Sequence, residues 1–314
     1  MHLSTDHGFI GCSIFTKLKE LGWGEELDKN GHSTLLPLTS HTLVKKPQEL
    51  TERVWSNIKE PLIEILEELK EKRQLKERLT MLMNRQNLVA KLLRDYTLER
   101  PINDVIPGPA DVCDMDEFSA IIKDTPDDVE VSEGTFKPAM YRLPQFIAEW
   151  RAAKDAELTR ILNKATVPDG QQSEKLVPEL GDRTQLELAT TIFRCNCCNS
   201  PISYPRILVH SCMHRLRDVY NDYDHPLSKL LSNLGDEPWN YGGDRVRIDD
   251  QGQATVRLVV KCCGLDPDIA TAHEMDVLDA RFECVKCCNP LYGSRMVMGW
   301  RIAVCHCYCI PDLR

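Results

Sequence analysis

The sequence predicts an α+β fold that is mostly helical: a helical N-terminal domain built around one long helix, then a C-terminal domain with a small β-hairpin and two cysteine knuckles. Three observations carry this. Apolar residues recur at three- and four-residue steps between Glu49 and Tyr96, the spacing of one helical face. Residues 165–182 turn rich in Pro, Gly, Gln, Ser and charge, as a linker does. Twelve of the fourteen cysteines lie beyond that break, between Cys195 and Cys309. The expected domains are therefore 1–170 and 171–314, divided near Gly170. A chain of 314 residues, 42% hydrophobic and 28% charged, is long enough for two such domains and apolar enough to give each a core.

Taken in order, Ile14, Phe15, Leu18, Leu21 and Trp23 outline a short docking helix over 13–27, closed by Gly22 and Gly24. A polar linker from Lys29 to Pro47 leads to the long helix, whose face holds Leu62, Leu66, Leu69, Leu82, Val89 and Leu93. Pro61 removes a backbone donor and is expected to kink this helix or start it anew. Between Lys70 and Arg78 the face is polar where a coiled-coil seam needs leucine, so the middle is read as a solvated stretch. Pro107-Gly108-Pro109 is a break, Asp114 to Ile122 a short helix, and Asp124 to Glu133 an acidic loop. A helix is expected from Pro144 through Trp150 to about Leu162.

In the second half, Leu186 to Ile192 is read as helical. Arg245–Ile248 and Ala254–Val260 flank Asp249-Asp250-Gln251-Gly252 as the arms of a hairpin. Thr271 and Glu274 form a capping box ahead of Met275 and Leu278.

The formal charge of −9 is uneven: residues 1–180 carry 24 Lys+Arg against 31 Asp+Glu, and residues 181–314 carry 15 against 17. A near-neutral cysteine-rich half lacks the basic footprint on which nucleic-acid binding depends. No basic leader with an apolar run follows Met1, and no stretch approaches the roughly 20 apolar residues of a membrane helix. The expectation is an intracellular protein of the cytoplasm or nucleus, where clustered thiols ligate metal rather than pair as disulfides.

The first knuckle, Cys195-x2-Cys198, follows Phe193 and precedes Ser203-Tyr204-Pro205, a helix start for His210 and His214. Four residues apart, those histidines would share a face. Two thiolates and two imidazoles satisfy tetrahedral zinc, and Phe193, Ile202 and Leu208 would core a small ββα finger. Cys212 competes with His214 for the fourth place. The second knuckle, Cys284-x2-Cys287, follows Phe282. Met296 to Cys309 reads as a segment with Trp300, Ala303 and Val304 inward and His306 and Cys309 one turn apart. Eighteen residues separate Cys287 from His306, which implies an inserted loop, and Cys305 competes as fourth ligand. The expected cofactor is two zinc ions. The bland alternative is crowded buried thiols, which is how Cys262 and Cys263 are read.

Other chemistries fail on spacing. Cys195, Cys198, Cys212 and His214 match the first half of a cross-braced ligase ring, but no cysteine follows His214 within two or three residues. Neither knuckle sits in a thioredoxin-like setting. Neither His-Glu-x-x-His nor a deaminase signature is present. No catalytic residue and no organic cofactor site are expected.

The stretches Gly264-Leu265-Asp266-Pro267, Met275 to Phe282 leading into Cys284-x2-Cys287, and Trp300-Arg301-Ile302-Ala303-Val304 resemble a group of poorly characterised, zinc-finger-containing proteins of mushroom-forming fungi, often labelled F-box-like. The resemblance extends to Glu20-Leu21-Gly22-Trp23-Gly24, Leu50 to Trp55 and Tyr204 to His210, and so covers most of the chain. It implies an intracellular fungal protein with ubiquitin-ligase adaptor work. The one Leu-Pro start ahead of a helix, Leu143-Pro144, stands without the rest of an F-box motif.

The functional expectation is a non-enzymatic zinc-binding module for protein interaction or substrate recognition. The alternative is a nucleic-acid binder using Arg206, Arg215 and Arg217, and after it a zinc hydrolase. A protein partner is favoured, and no membrane is expected.

Overall fold

The structure is a computed structural model that describes residues 7–30, 38, 40, 49–166, 184–216, 226–285, 287 and 295–309. Most of the polar linker after Lys29, the composition break near Gly170, and Arg217 lie outside these residues. The fold is the mostly helical α+β class expected. It forms two compact units, Met1–Met81 and Leu82–Arg314.

In the first unit, α1 (His7–Leu18) runs through a tight π turn (Lys19–Trp23) into α2 (Gly24–Lys29). Gly22 makes the break at φ +93°, where a side chain would be strained. The first part of α3 (Glu52–Leu98) buries Ile58, Leu62 and Leu66 against Ile14, Leu18 and Leu27. Pro61 neither starts nor ends α3; it lies inside. Buried Ile58 and Leu62 flank it, and tertiary packing carries the helix past one missing hydrogen bond.

The polar middle is not wholly solvated either. Arg73, with its side chain 16% exposed, forks onto Glu26, which is 5% exposed (Nε–Oε1 2.9 Å, Nη2–Oε2 2.7 Å). That pairing holds the Glu26 carboxyl below the usual range against the opposing effect of burial.

The second unit opens with the remainder of α3. Next come α4 (Pro109–Asp114), α5 (Asp116–Lys123) and α6 (Lys137–Thr166). Val89, Leu93, Phe118, Phe136 and Leu143 form their common core. Buried Arg85 donates to the carbonyls of Ile122 (3.0 Å), Thr125 (2.8 Å) and Pro126 (2.9 Å), placing a cation at the C-terminal end of α5. Pro144 does not begin α6. A 3-10 turn (Glu133–Phe136), capped reciprocally by Ser132 and Thr135, feeds the helix at Lys137.

After α7 (Thr184–Glu187), Ile192 enters a strand rather than continuing a helix. β1 (Ile192–Cys195) lies between β2 (Pro201–Ser203) and β3 (Val246–Ile248), antiparallel to both. Phe193 pairs with Ile202 on one side and Ile248 on the other. Between β2 and β3 lies α8 (Pro226–Ser232).

The expected hairpin at Asp249–Gly252 is corrected: Ala254–Val260 belongs to α9 (Asp250–Cys262). Asp249 is its N-cap, accepting from Gly252 N at 3.0 Å, and Val256 and Val260 bury one helical face. The hairpins are instead β1–β2 and the later β4 (Arg281–Glu283) with β5 (Val297–Gly299), between α10 (Ala272–Leu278) and α11 (Trp300–Cys309).

Trp150, Leu158 and Leu162 of α6 share one core with Phe193, Leu208 and Trp239. Residues on both sides of position 170 therefore fold together, and the compact units divide between Met81 and Leu82 instead. No helix among the described residues is long and apolar enough to cross a membrane.

Candidate metal centres

β1 delivers Cys195, fully buried, to the mouth of the first knuckle. The turn is fixed by backbone: Asn199 N donates to Cys195 O (2.9 Å), Cys195 N to Ser200 O (3.0 Å), and Cys197 N to Cys195 Sγ (3.3 Å). Asn199 adopts φ +57°, a left-handed exit that asparagine tolerates well. Arg194, buried, holds the Asn199 carbonyl at 3.1 Å and both oxygens of Asp249 at 2.9 Å. One buried ion pair thus joins the knuckle to the cap of α9.

The other arm departs from expectation. Two 3-10 turns, Arg206–Val209 and Ser211–Met213, replace the helix, with His210 extended between them at φ −70°, ψ 124°. That kink destroys the common face of His210 and His214. It brings His210 Nε2 and Cys212 Sγ to the knuckle instead: the donor atoms of Cys195, Cys198, His210 and Cys212 all lie within 4.8 Å of one another. Cys198 Sγ is 3.3 Å from His210 Nε2. Donors around a tetrahedral zinc sit roughly 3.5–3.8 Å apart, given metal–ligand lengths near 2.3 Å to sulfur and 2.0–2.1 Å to nitrogen. The group is compact enough to hold a metal ion.

His214 points elsewhere. Its Nε2 faces Leu208 O at 3.4 Å, and its Nδ1 lies 3.3 Å from Asp111 Oδ2 as an ion-pair contact. Burial opposes protonation of His214, but Asp111, the Leu208 carbonyl and Asp236 together raise the imidazole above its ordinary pKa. Asp111 also accepts from Trp150 Nε1 (2.9 Å) and Trp239 N (3.1 Å), so His214 belongs to a packing hub. The donor atoms that come together therefore include the competitor Cys212 and not the expected His214. The other three expected ligands at this site, Cys195, Cys198 and His210, are brought together.

Three thiols at one point cannot all ionise on their own. Burial and the neighbouring Cys198 push Cys195 up to about 12, and burial with Cys198 raises Cys212. At Cys198 burial acts the other way from the hydrogen bonds, which prevail: Ser200 and the thiols of Cys195 and Cys212 lower its pKa. Burial lowers His210 and keeps it neutral, the ligand form. A bound divalent cation would displace the thiol protons.

The second centre is built differently. β4 ends at Glu283, directly before Cys284, whose N donates to Met296 O (3.0 Å), and Cys287 N donates to Cys284 O (3.2 Å). β5 turns directly into α11, which carries His306 to within 3.2 Å of Cys287 Sγ. Cys284, Cys287 and His306 offer three donor atoms within 4.8 Å of one another. Cys305 lies beside Pro201 O at 4.0 Å, outside this group. Cys309 ends α11 one turn beyond His306, and its side chain lies outside the described residues. Strand, knuckle, strand, helix, the element order expected at the first knuckle, is found at the second instead.

Sequence reasoning missed Asp111 as the partner of His214, Arg194 as the clamp on the knuckle, and the break at His210. No spacing rule signals any of them. Compared with protein-family models, curated proteins and solved structures, the chain matches none.

Proposed function

We propose that the protein is a non-enzymatic zinc-binding interaction module, in which two zinc ions stabilise the second unit and set its surface for a protein partner. The observation that carries this reading is the closed donor set of Cys195, Cys198, His210 and Cys212. Three thiolates and one imidazole match the soft-to-borderline preference of zinc, and four protein donors leave no position for a reactive water. That speaks against a hydrolase. At the second centre Cys309 is the proposed fourth ligand, being one turn from His306 on the same helix. A protein partner is the kind of role that resemblance to F-box-like proteins implies. Thiolate ligands that stay reduced are those of a reducing compartment, and we place the protein in the cytoplasm or nucleus on that ground.

The ββα order of the second centre favours the alternative, nucleic-acid binding. Two observations weigh against it on the helix itself: Arg301 is spent on Asp276 (Nη2–Oδ2 2.7 Å) and Ser203, and Ile302 is 61% exposed. Binding of a DNA duplex that weakens steeply with salt would favour the alternative.

X-ray absorption of the zinc-loaded full chain tests the main reading. It is expected to show sulfur near 2.3 Å and nitrogen near 2.0 Å in about a three-to-one ratio. A light-atom shell requiring bound water would contradict a structural role.

A further inference from the structure

We propose that Arg245 is the positioning residue of the first metal centre, preforming it by tying together the two chain segments that supply its ligands. This rests on the metal-binding reading above. Arg245 stands just before β3, whose Val246 pairs with Cys195. Its carbonyl accepts from Asn196 N at 2.8 Å, inside the first knuckle. Its guanidinium Nη1 donates to Cys212 O at 3.3 Å and Met213 O at 3.0 Å, on the other ligand arm. One residue therefore touches the Cys195–Cys198 arm with its backbone and the His210–Cys212 arm with its side chain.

The side chain is only 4% exposed, and its charge is met by Glu237, equally buried, through a direct ion pair from Nη2. A buried guanidinium without such a partner would be costly. Glu237 is itself seated on the same arm, its N donating to His214 O at 2.8 Å. Asn240 completes the brace. Its side chain accepts from Arg245 N at 2.9 Å, and its own N donates to Met213 O at 2.9 Å. Groups of this kind, which orient ligands without binding metal, typically govern 10–100-fold in affinity. Lysine keeps the charge but presents no planar fork able to span two carbonyls and a carboxylate.

The test uses the full chain carrying Cys284→Ser and Cys287→Ser, so that only the first centre binds. Zinc affinity is measured by competition with a chelator, with cobalt(II) ligand-field bands as a second readout. Adding Arg245→Lys is expected to weaken zinc binding about 10–100-fold and to shift the cobalt bands. Arg85→Lys, which alters another buried arginine whose fork rests on the carbonyls of Ile122, Thr125 and Pro126 rather than on the ligand segments, is expected to leave both unchanged.

Unchanged affinity in Arg245→Lys, or an equal loss in Arg85→Lys, overturns the proposal. Should Arg245→Lys not fold, Glu237→Gln keeps the fork and removes its counter-charge; a smaller loss of affinity is expected, and no loss overturns the proposal. If the parent chain with Arg245 intact binds no zinc, the metal reading itself has failed, an outcome distinct from the others.

Discussion

The two centres start from the same text, a phenylalanine, one residue, then Cys-x2-Cys, and end as different structures. At the first, Phe193 is fully buried at the centre of a three-stranded sheet, and four described donors close the site. At the second, Phe282 is half-buried on a two-stranded hairpin, and three described donors come together. The knuckle is local, whereas the rest of the site is decided by what the following segment packs against. After the first knuckle that segment is drawn into the core through Tyr204, Ile207 and Leu208, and it bends at His210. After the second, Trp300 and Val304 pack one face of a regular helix against Val256 and Met275.

If the first centre is integral to its core and the second is appended, removing a ligand has unequal cost. Cys195→Ser is expected to lose one zinc and on the order of 5 kcal/mol, enough to unfold the surrounding core, since structural zinc supplies folding energy outright. Cys284→Ser is expected to lose one zinc with roughly 2 kcal/mol and a folded sheet. Urea unfolding followed by near-UV circular dichroism reads both, and equal losses would break the comparison.

The phenylalanines repeat the test without touching ligands. Phe193→Ala is expected to cost about 3–5 kcal/mol, as for a fully buried aromatic, and Phe282→Ala about 1–2 kcal/mol. Thermal unfolding of the zinc-loaded chain measures the pair.

Cys212→Ser against His214→Ala sharpens the ligand assignment. The first is expected to remove one zinc. The second is expected to keep both and cost about 1–2 kcal/mol through the lost contact with Asp111. Metal content with chemical denaturation separates the two.

The smallest effect is one of pH. Burial raises Asp236 from 3.8 to about 6, with the neighbouring Asp111 adding to it and His214 opposing. A carboxyl whose folded pKa is raised favours folding below its unfolded value, and that contribution is lost as pH rises through about 6. Asp236→Asn is therefore expected to gain about 1 kcal/mol of stability at pH 7.5, with less gain at pH 5. A gain that grew on acidification would reverse the assignment.

The parts legible in the sequence were those with a local cause. The periodicity of α3, the Thr271–Glu274 capping box and the two knuckles are all set within a few residues, and each is found. What was not legible depends on distant partners. Val256 and Val260 read as strand until Asp249 is seen capping a helix and paired with Arg194. His214 reads as a ligand until Asp111, a hundred positions earlier, takes it. The boundary near Gly170 reads as a domain limit until α6 is found in the core of the sheet. Composition reports the change of linker chemistry there and says nothing of which helix crosses it.

The most direct test of the account is zinc per chain by elemental analysis of the purified, folded protein, beside Cys212→Ser and Cys287→Ser. The account predicts two zinc ions in the unaltered chain and one in each variant. A folded chain without zinc, or a Cys212→Ser protein that keeps both ions, would contradict it.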